Sequence, residues 1–179
     1  MYSQSNKMKL KNKTLTNETK ILFLDFDGVL NSYEEGSYKT HSSEEYGPSI
    51  TICNKIIKLC KETGAKIIIS SNWRKFNPDG WYIFDGIKYK NPLAKVYELL
   101  GEYIIDMLPP EKHVTKAIAL ILWFEETNYR GDRWVILDDD YREELGSTTD
   151  YNINKHYIET NPEFGITDKN IEQIEKIIK

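Results

Sequence analysis

The sequence predicts an α/β fold in which a mostly parallel sheet is covered by helices on both faces. Three observations lead there. Apolar runs of strand length recur along the chain, amphipathic helical stretches separate them, and several of the apolar runs end in Asp or Ser. Strands that alternate with helices imply crossover connections, and crossovers lay helices over the sheet. The chain has 179 residues, 40% hydrophobic and 12% aromatic, enough for one globular domain with a core.

The strands are predicted as follows. Ile21 to Phe26 (Ile-Leu-Phe-Leu-Asp-Phe) is a continuous apolar run that reaches acid, as expected of a strand buried on both faces. Lys66 to Ser70 is a second, preceded by Gly64, a good stop for a helix. Tyr103 to Asp106 is a third and Trp134 to Asp138 a fourth. Lys155 to Glu159 alternates in polarity and is predicted at a sheet edge.

Helices are predicted between them. Pro48 to Thr63 carries Ile52, Ile56, Leu59 and Cys60 at helical spacing, with Pro48 or Ser49 near its start. Pro92 to Leu100 opens on Asn91 and Pro92. Lys112 to Glu126 is expected to turn Val114, Ile118, Ile121 and Leu122 inward. Asp168 to Lys179 has Thr167 or Asp168 as its cap and Ile171, Ile174 and Ile178 facing the core.

Residues 1–19 are rich in Lys, Asn, Ser and Thr and lack the apolar stretch of a signal peptide, so they read as a solvated tail ahead of one domain over 20–179. No apolar run approaches the roughly 18 residues of a membrane span. A net charge of −4 gives no basic field of the kind that announces a nucleic-acid partner, although a local basic groove can sit on an acidic protein. Cys53 and Cys60 are seven apart on one predicted helix face, too distant along the axis for a disulfide, and point to core thiols in a reducing, cytoplasmic setting. His41, His113 and His156 are scattered and form no zinc pattern.

In an open parallel sheet ligands bind at the carboxyl ends of the strands. The first strand ends Asp25-Phe26-Asp27-Gly28, the second Ser70-Ser71-Asn72-Trp73-Arg74 and the fourth Asp138-Asp139-Asp140. Carboxylates gathered there repel one another and lose hydration, at a cost that a cation offsets. A hard divalent ion with oxygen ligands, Mg²⁺ above all, suits them. Taken singly each piece has an ordinary reading: Asp-x-Asp-Gly as a turn, Ser70 as a strand-end hydroxyl, the Asp triplet as a solvated loop. Their joint order is the specific signal.

That order resembles the haloacid dehalogenase (HAD) superfamily. Phe23 to Leu30 looks like its first motif, Ser70 its second and Val135 to Asp139 its fourth. Lys116 is the choice for the third, with Lys112 as the alternative. Ser70 to Arg74, Leu137 to Asp140, the run from Lys116 to Trp123 and Phe124, and the late Phe164-Gly165-Ile166-Thr167 look like the small HAD domains of Swiss army knife RNA-repair-type proteins. The resemblance implies a Rossmann-like sheet with a small or absent cap and a Mg²⁺-dependent phosphatase that forms an aspartyl-phosphate. Asp25 would be the nucleophile and Asp27 the general acid and base. Ser70 would bind a phosphoryl oxygen and Lys116 would neutralise charge. Mg²⁺ would be held by Asp25, the Asp27 backbone carbonyl, Asp139 directly and Asp138 in support, with Asp140 solvated. Gly28, Ser71 and Arg74 would face the substrate.

From Asn31 to Gly47 there is no room for a large cap. A specificity insert is expected around 75–111, where Trp81, Tyr82, Phe84, Tyr89 and Tyr97 could stack on bases or simply pack a loop. Arg74 and Arg142 are candidates for a second phosphate or for surface ion pairs. The expected substrate is a phosphorylated molecule, favouring nucleic-acid termini or nucleotides. Small-metabolite phosphatase is the rival enzyme reading, and a catalytically silent HAD-like binding module the rival outside enzymes. A receiver-type phospho-acceptor domain places its acceptor Asp on a middle strand, whereas Asp25 ends the first.

Overall fold

The computed structural model describes residues 15–34, 46–77, 80–84, 87–110, 113–140 and 150–179. Lys112, Arg142, His41 and most of the N-terminal tail lie outside the described residues, as do the side chains of Trp81, Tyr82, Phe84 and Tyr89.

In chain order the elements are β1 (Ile21–Leu24), α1 (Ile50–Thr63), β2 (Lys66–Ile69), a 3-10 turn (Asn72–Lys75), β3 (Trp81–Phe84), β4 (Ile87–Lys90), α2 (Leu93–Leu100), β5 (Ile104–Met107), α3 (Lys116–Thr127), β6 (Trp134–Asp138), a second 3-10 turn (Asp150–Lys155), β7 (Tyr157–Glu159) and α4 (Asp168–Ile178). Five strands form a parallel sheet in the order β5-β2-β1-β6-β7, so β1 lies at the centre and β7 at an edge. All five predicted strands are in it.

Alternation along the strands divides the core into two layers. Leu22, Leu24, Ile67, Ile69, Val135 and Leu137 face one side, where α1, α2 and α4 bring Ile56, Leu59, Val96, Leu100, Ile174 and Ile178. Ile21, Phe23, Ile68, Trp134 and Ile136 face the other, against Ala117, Leu120, Trp123 and Phe124 of α3. Each large side chain buried in this way contributes about 1.5–3 kcal/mol. A strand with both faces covered must be apolar at every position, which is why β1 reads as an unbroken run.

The helix ends follow local chemistry. Ser49 caps α1 by accepting the Ile52 N–H at 3.1 Å, and Gly64 ends it in the left-handed conformation. Thr167 and Asn170 close a reciprocal capping box on α4. Cys53 and Cys60 are buried free thiols on α1.

The inward face of α3 differs from expectation. Ile118 is 48% exposed, while Ala117, Leu120, Trp123 and Phe124 are buried. This helix is apolar nearly all round, so periodicity does not single out one face. The aromatic rings decide it, with Phe23 lying 5.2 Å from Trp123 and 5.9 Å from Trp134, both edge to face. Within 75–111, β3 and β4 form an antiparallel hairpin apart from the main sheet, whereas α2 and β5 belong to the core and the sheet. No helix among the described residues is long and apolar enough to cross a membrane.

Candidate active site

Parallel pairing of β1 with β6 sets Leu24 opposite Leu137, so the next residues, Asp25 and Asp138, stand side by side at the carboxyl ends of the central strands. The Asp25 N–H donates to the Leu137 carbonyl at 3.1 Å, which continues the ladder by one rung. Both side chains are sealed from solvent, at 5% and 0% exposure. Lys116, the first residue of α3, reaches them from the helix that covers this same face of the sheet. Its ammonium pairs with Asp25 Oδ2 and donates to Asp138 Oδ2 at 2.7 Å. Burial alone would lower the Lys116 pKa, but Asp25 and Asp138 outweigh it and hold the ammonium charged above its usual range.

Asp139 completes an acidic cluster. One carboxylate oxygen from each of Asp25, Asp138 and Asp139 lies within 4.8 Å of the others. Burial and the Asp25 charge push the Asp139 carboxyl up to about 6 and raise Asp138 as well, against the opposing pull of Lys116. One ammonium facing three carboxylates leaves the cluster short of positive charge. Hard oxygen donors with excess negative charge fit a divalent cation such as Mg²⁺. Asp138 has both oxygens engaged, one by Lys116 and the other by the Asp140 N–H at 3.0 Å. The Asp140 side chain itself is exposed.

Gly28 has φ +65°, and a Cβ built there would lie 2.6 Å from Asp139 Cγ. Only glycine allows both that backbone and that approach. The space beside it is therefore taken by the Asp139 carboxylate.

Asp27 is held differently. Its Oδ1 accepts from the Tyr46 hydroxyl and from Asn31 Nδ2 at 3.3 Å, and its Oδ2 accepts from Trp73 Nε1 at 2.9 Å. Asn31 also accepts the Gly28 N–H at 2.8 Å, which closes the turn after β1. Burial raises the Asp27 pKa most; the Tyr46 hydrogen bond opposes it, and the Asp25 charge adds to it.

Ser70 follows β2 and donates its N–H to the Leu24 carbonyl at 3.0 Å. Its hydroxyl is buried and has no hydrogen-bond partner among the described residues, a state that costs about 1–3 kcal/mol. A small cavity beside it is lined by Lys116, Asp138, Phe23 and Leu108. Ser71 caps the following 3-10 turn by accepting the Trp73 N–H at 3.4 Å. Arg74, expected at a second phosphate or in a surface ion pair, is 4% exposed and clamps backbone instead. It donates to the carbonyls of Ser70 at 2.8 Å, Ser71 at 3.0 Å and Pro109 at 3.1 Å.

Asp25, Asp27, Ser70, Lys116, Asp138 and Asp139 thus converge, with Gly28 against Asp139 and with Ser71 and Arg74 bracing the Ser70 turn. Sequence reasoning missed Asn31, Tyr46 and Trp73 as partners of Asp27. Trp73 stood inside a quoted motif, and Asn31 is a turn-closing residue three positions after Gly28. Nothing local marks Tyr46, which reaches Asp27 from 19 residues away.

Residues 21–171 match the model of a family described as the HAD domain in Swiss Army Knife RNA repair proteins. No curated protein and no solved structure matches the chain.

Proposed function

We propose that this chain, which belongs to the family of HAD domains in Swiss Army Knife RNA repair proteins, is a Mg²⁺-dependent phosphatase working through an aspartyl-phosphate. HAD membership supports phosphohydrolase chemistry in general. The observation that supports the specific reading is the bridge of Lys116 between Asp25 and Asp138, with Asp27 two residues on and nearby the Ser70 hydroxyl, which has no partner among the described residues.

In this reading an Asp25 oxygen attacks phosphorus as the bond to the leaving oxygen breaks, and Asp27 gives that oxygen its proton. Asp27 then takes a proton from the water that attacks the phosphoryl group, which releases phosphate and frees Asp25. The Ser70 hydroxyl donates to a phosphoryl oxygen, and Lys116 offsets charge there and on Asp25. Mg²⁺ would be held by Asp25, Asp139, the Asp27 carbonyl and, in support, Asp138; bound there it would neutralise phosphoryl charge. Arg74 and Ser71 keep the Ser70 turn in place.

The substrate class we propose is a phosphorylated nucleic-acid terminus or nucleotide. The family description supports it, as does the limited room for a cap. Residues 20–179 form the working domain, and the two free thiols fit a cytoplasmic setting.

Asp25→Asn should fold normally and lose at least about four orders of magnitude in p-nitrophenyl phosphate turnover with Mg²⁺. Turnover like that of the wild type would remove Asp25 from its role, and activity that persists in EDTA would remove the metal. Phosphorylated oligonucleotides screened beside mononucleotides and sugar phosphates test the substrate class.

A further inference from the structure

We infer that Tyr46 and Trp73 are positioning residues that aim the Asp27 carboxyl at the leaving oxygen. The inference rests on the proposed role of Asp27 and adds what holds that side chain in place.

An acid/base group must meet the leaving oxygen in one half-reaction and the water in the next, so its carboxyl has to stay in one orientation. A short side chain on a tight turn does not achieve this alone. Here both carboxylate oxygens are gripped by neutral donors from segments distant in sequence, Tyr46 19 residues on and Trp73 46 residues on. The donors are themselves fixed by packing. The Tyr46 ring lies 5.6 Å from Phe26 and 5.8 Å from Trp73, and Trp73 lies 6.0 Å from Phe76. Buried Asn91 ties the turn from behind, donating to the Trp73 carbonyl and the Asn77 carbonyl, each at 3.2 Å.

An aromatic cluster that served only to pack would need no polar atoms on a common target. This one directs its hydroxyl and its indole N–H to opposite oxygens of one carboxylate. Both donors are uncharged, so they orient Asp27 without competing with a cation for it.

Tyr46→Phe and Trp73→Phe each remove a donor and keep an aromatic ring. The measurement is kcat/KM, which reports departure of the leaving group, across aryl and alkyl phosphates of increasing leaving-group pKa, with the thermal midpoint of each variant. The expected result is a loss that grows with leaving-group pKa, reaching roughly tenfold or more for alkyl phosphates, with KM and the midpoint close to wild type. A loss of equal size for every leaving group, in whichever variant folds, would make the pair structural and overturn the inference. Asp27→Asn separates the two readings: if its own losses do not depend on the leaving group, the acid role of Asp27 fails first. If they do and both ring variants behave like wild type, only the positioning role fails.

Discussion

Asp25 and Asp27 stand two residues apart, yet the protein holds them by opposite means. Asp25 shares the Lys116 ammonium with Asp138 in the sealed inner part of the site. Asp27, in the outer part, accepts from Tyr46, Asn31 and Trp73, three neutral donors. An ammonium offsets the negative charge of a carboxylate that must approach a phosphoryl group. Neutral donors fix a direction while leaving room for a proton, which suits a carboxyl that must gain and lose one. The tyrosine hydroxyl accepts as well as donates, so that contact survives either state. The raised pKa of Asp27, caused mainly by burial, is consistent with that division.

After the loss expected of Asp25→Asn, the largest effect from breaking this contrast is at Asp27. Asp27→Asn should lower turnover by about 10²–10⁴-fold with a poor leaving group, as loss of a general acid does, while circular dichroism stays native. A uniform small loss would mean that the two carboxylates are not differentiated.

Next comes the ion pair. Lys116→Met leaves Asp25 and Asp138 buried against each other and should cost about 3–5 kcal/mol of unfolding free energy without metal. Urea denaturation measures this, and an unchanged midpoint would show that the ammonium does not offset the acidic cluster.

Cation binding sharpens the comparison further. Asp138 and Asp139 have folded-state pKa values raised to about 7 and about 6, so between 3.8 and about 7 the native cluster binds more protons than the unfolded chain. The stability this gives is present below the unfolded value and is lost as pH rises through about 6 to about 7. A bound divalent ion restores it. The gain in thermal midpoint from Mg²⁺ should therefore grow from about pH 5 to about pH 7.5, reaching roughly 5–10 °C at a hundredfold excess over Kd. A gain independent of pH would place the ion elsewhere.

The smallest effect is at Asn31, fully buried and bonded to both Gly28 and Asp27. Asn31→Ala should cost about 1–3 kcal/mol by leaving the Gly28 N–H without its partner. Denaturation midpoints check this too, and a neutral result would mean that the turn after β1 does not depend on that clasp.

Much of this was legible in the sequence because it is written locally. Unbroken apolar runs mark strands covered on both faces, and Ser49, Gly64 and Thr167 mark helix ends by their own backbone chemistry. Strand-end acids pointed to the site, but not all of them reach it: Asp106, at the end of the third predicted strand, accepts from Trp123 Nε1 at 2.7 Å instead. The buried face of α3 was illegible because a helix apolar all round carries no phase.

Legible in the sequence alone were the order of the five sheet strands and the four helices, the family, and the acidic residues at the strand ends, but not the β3–β4 hairpin; each of the former depends on residue type and short spacing. The register of β1 on β6, the reach of Lys116 from α3 to the ends of both strands, the use of Arg74 as a backbone clamp and the arrival of Tyr46 and Trp73 at Asp27 came only with tertiary packing. Tyr46 meets Asp27 from 19 positions away and Lys116 meets Asp25 from 91, while β1 and β6 pair from further still. Nothing in local spacing encodes such distances; packing of the two layers on the sheet sets them.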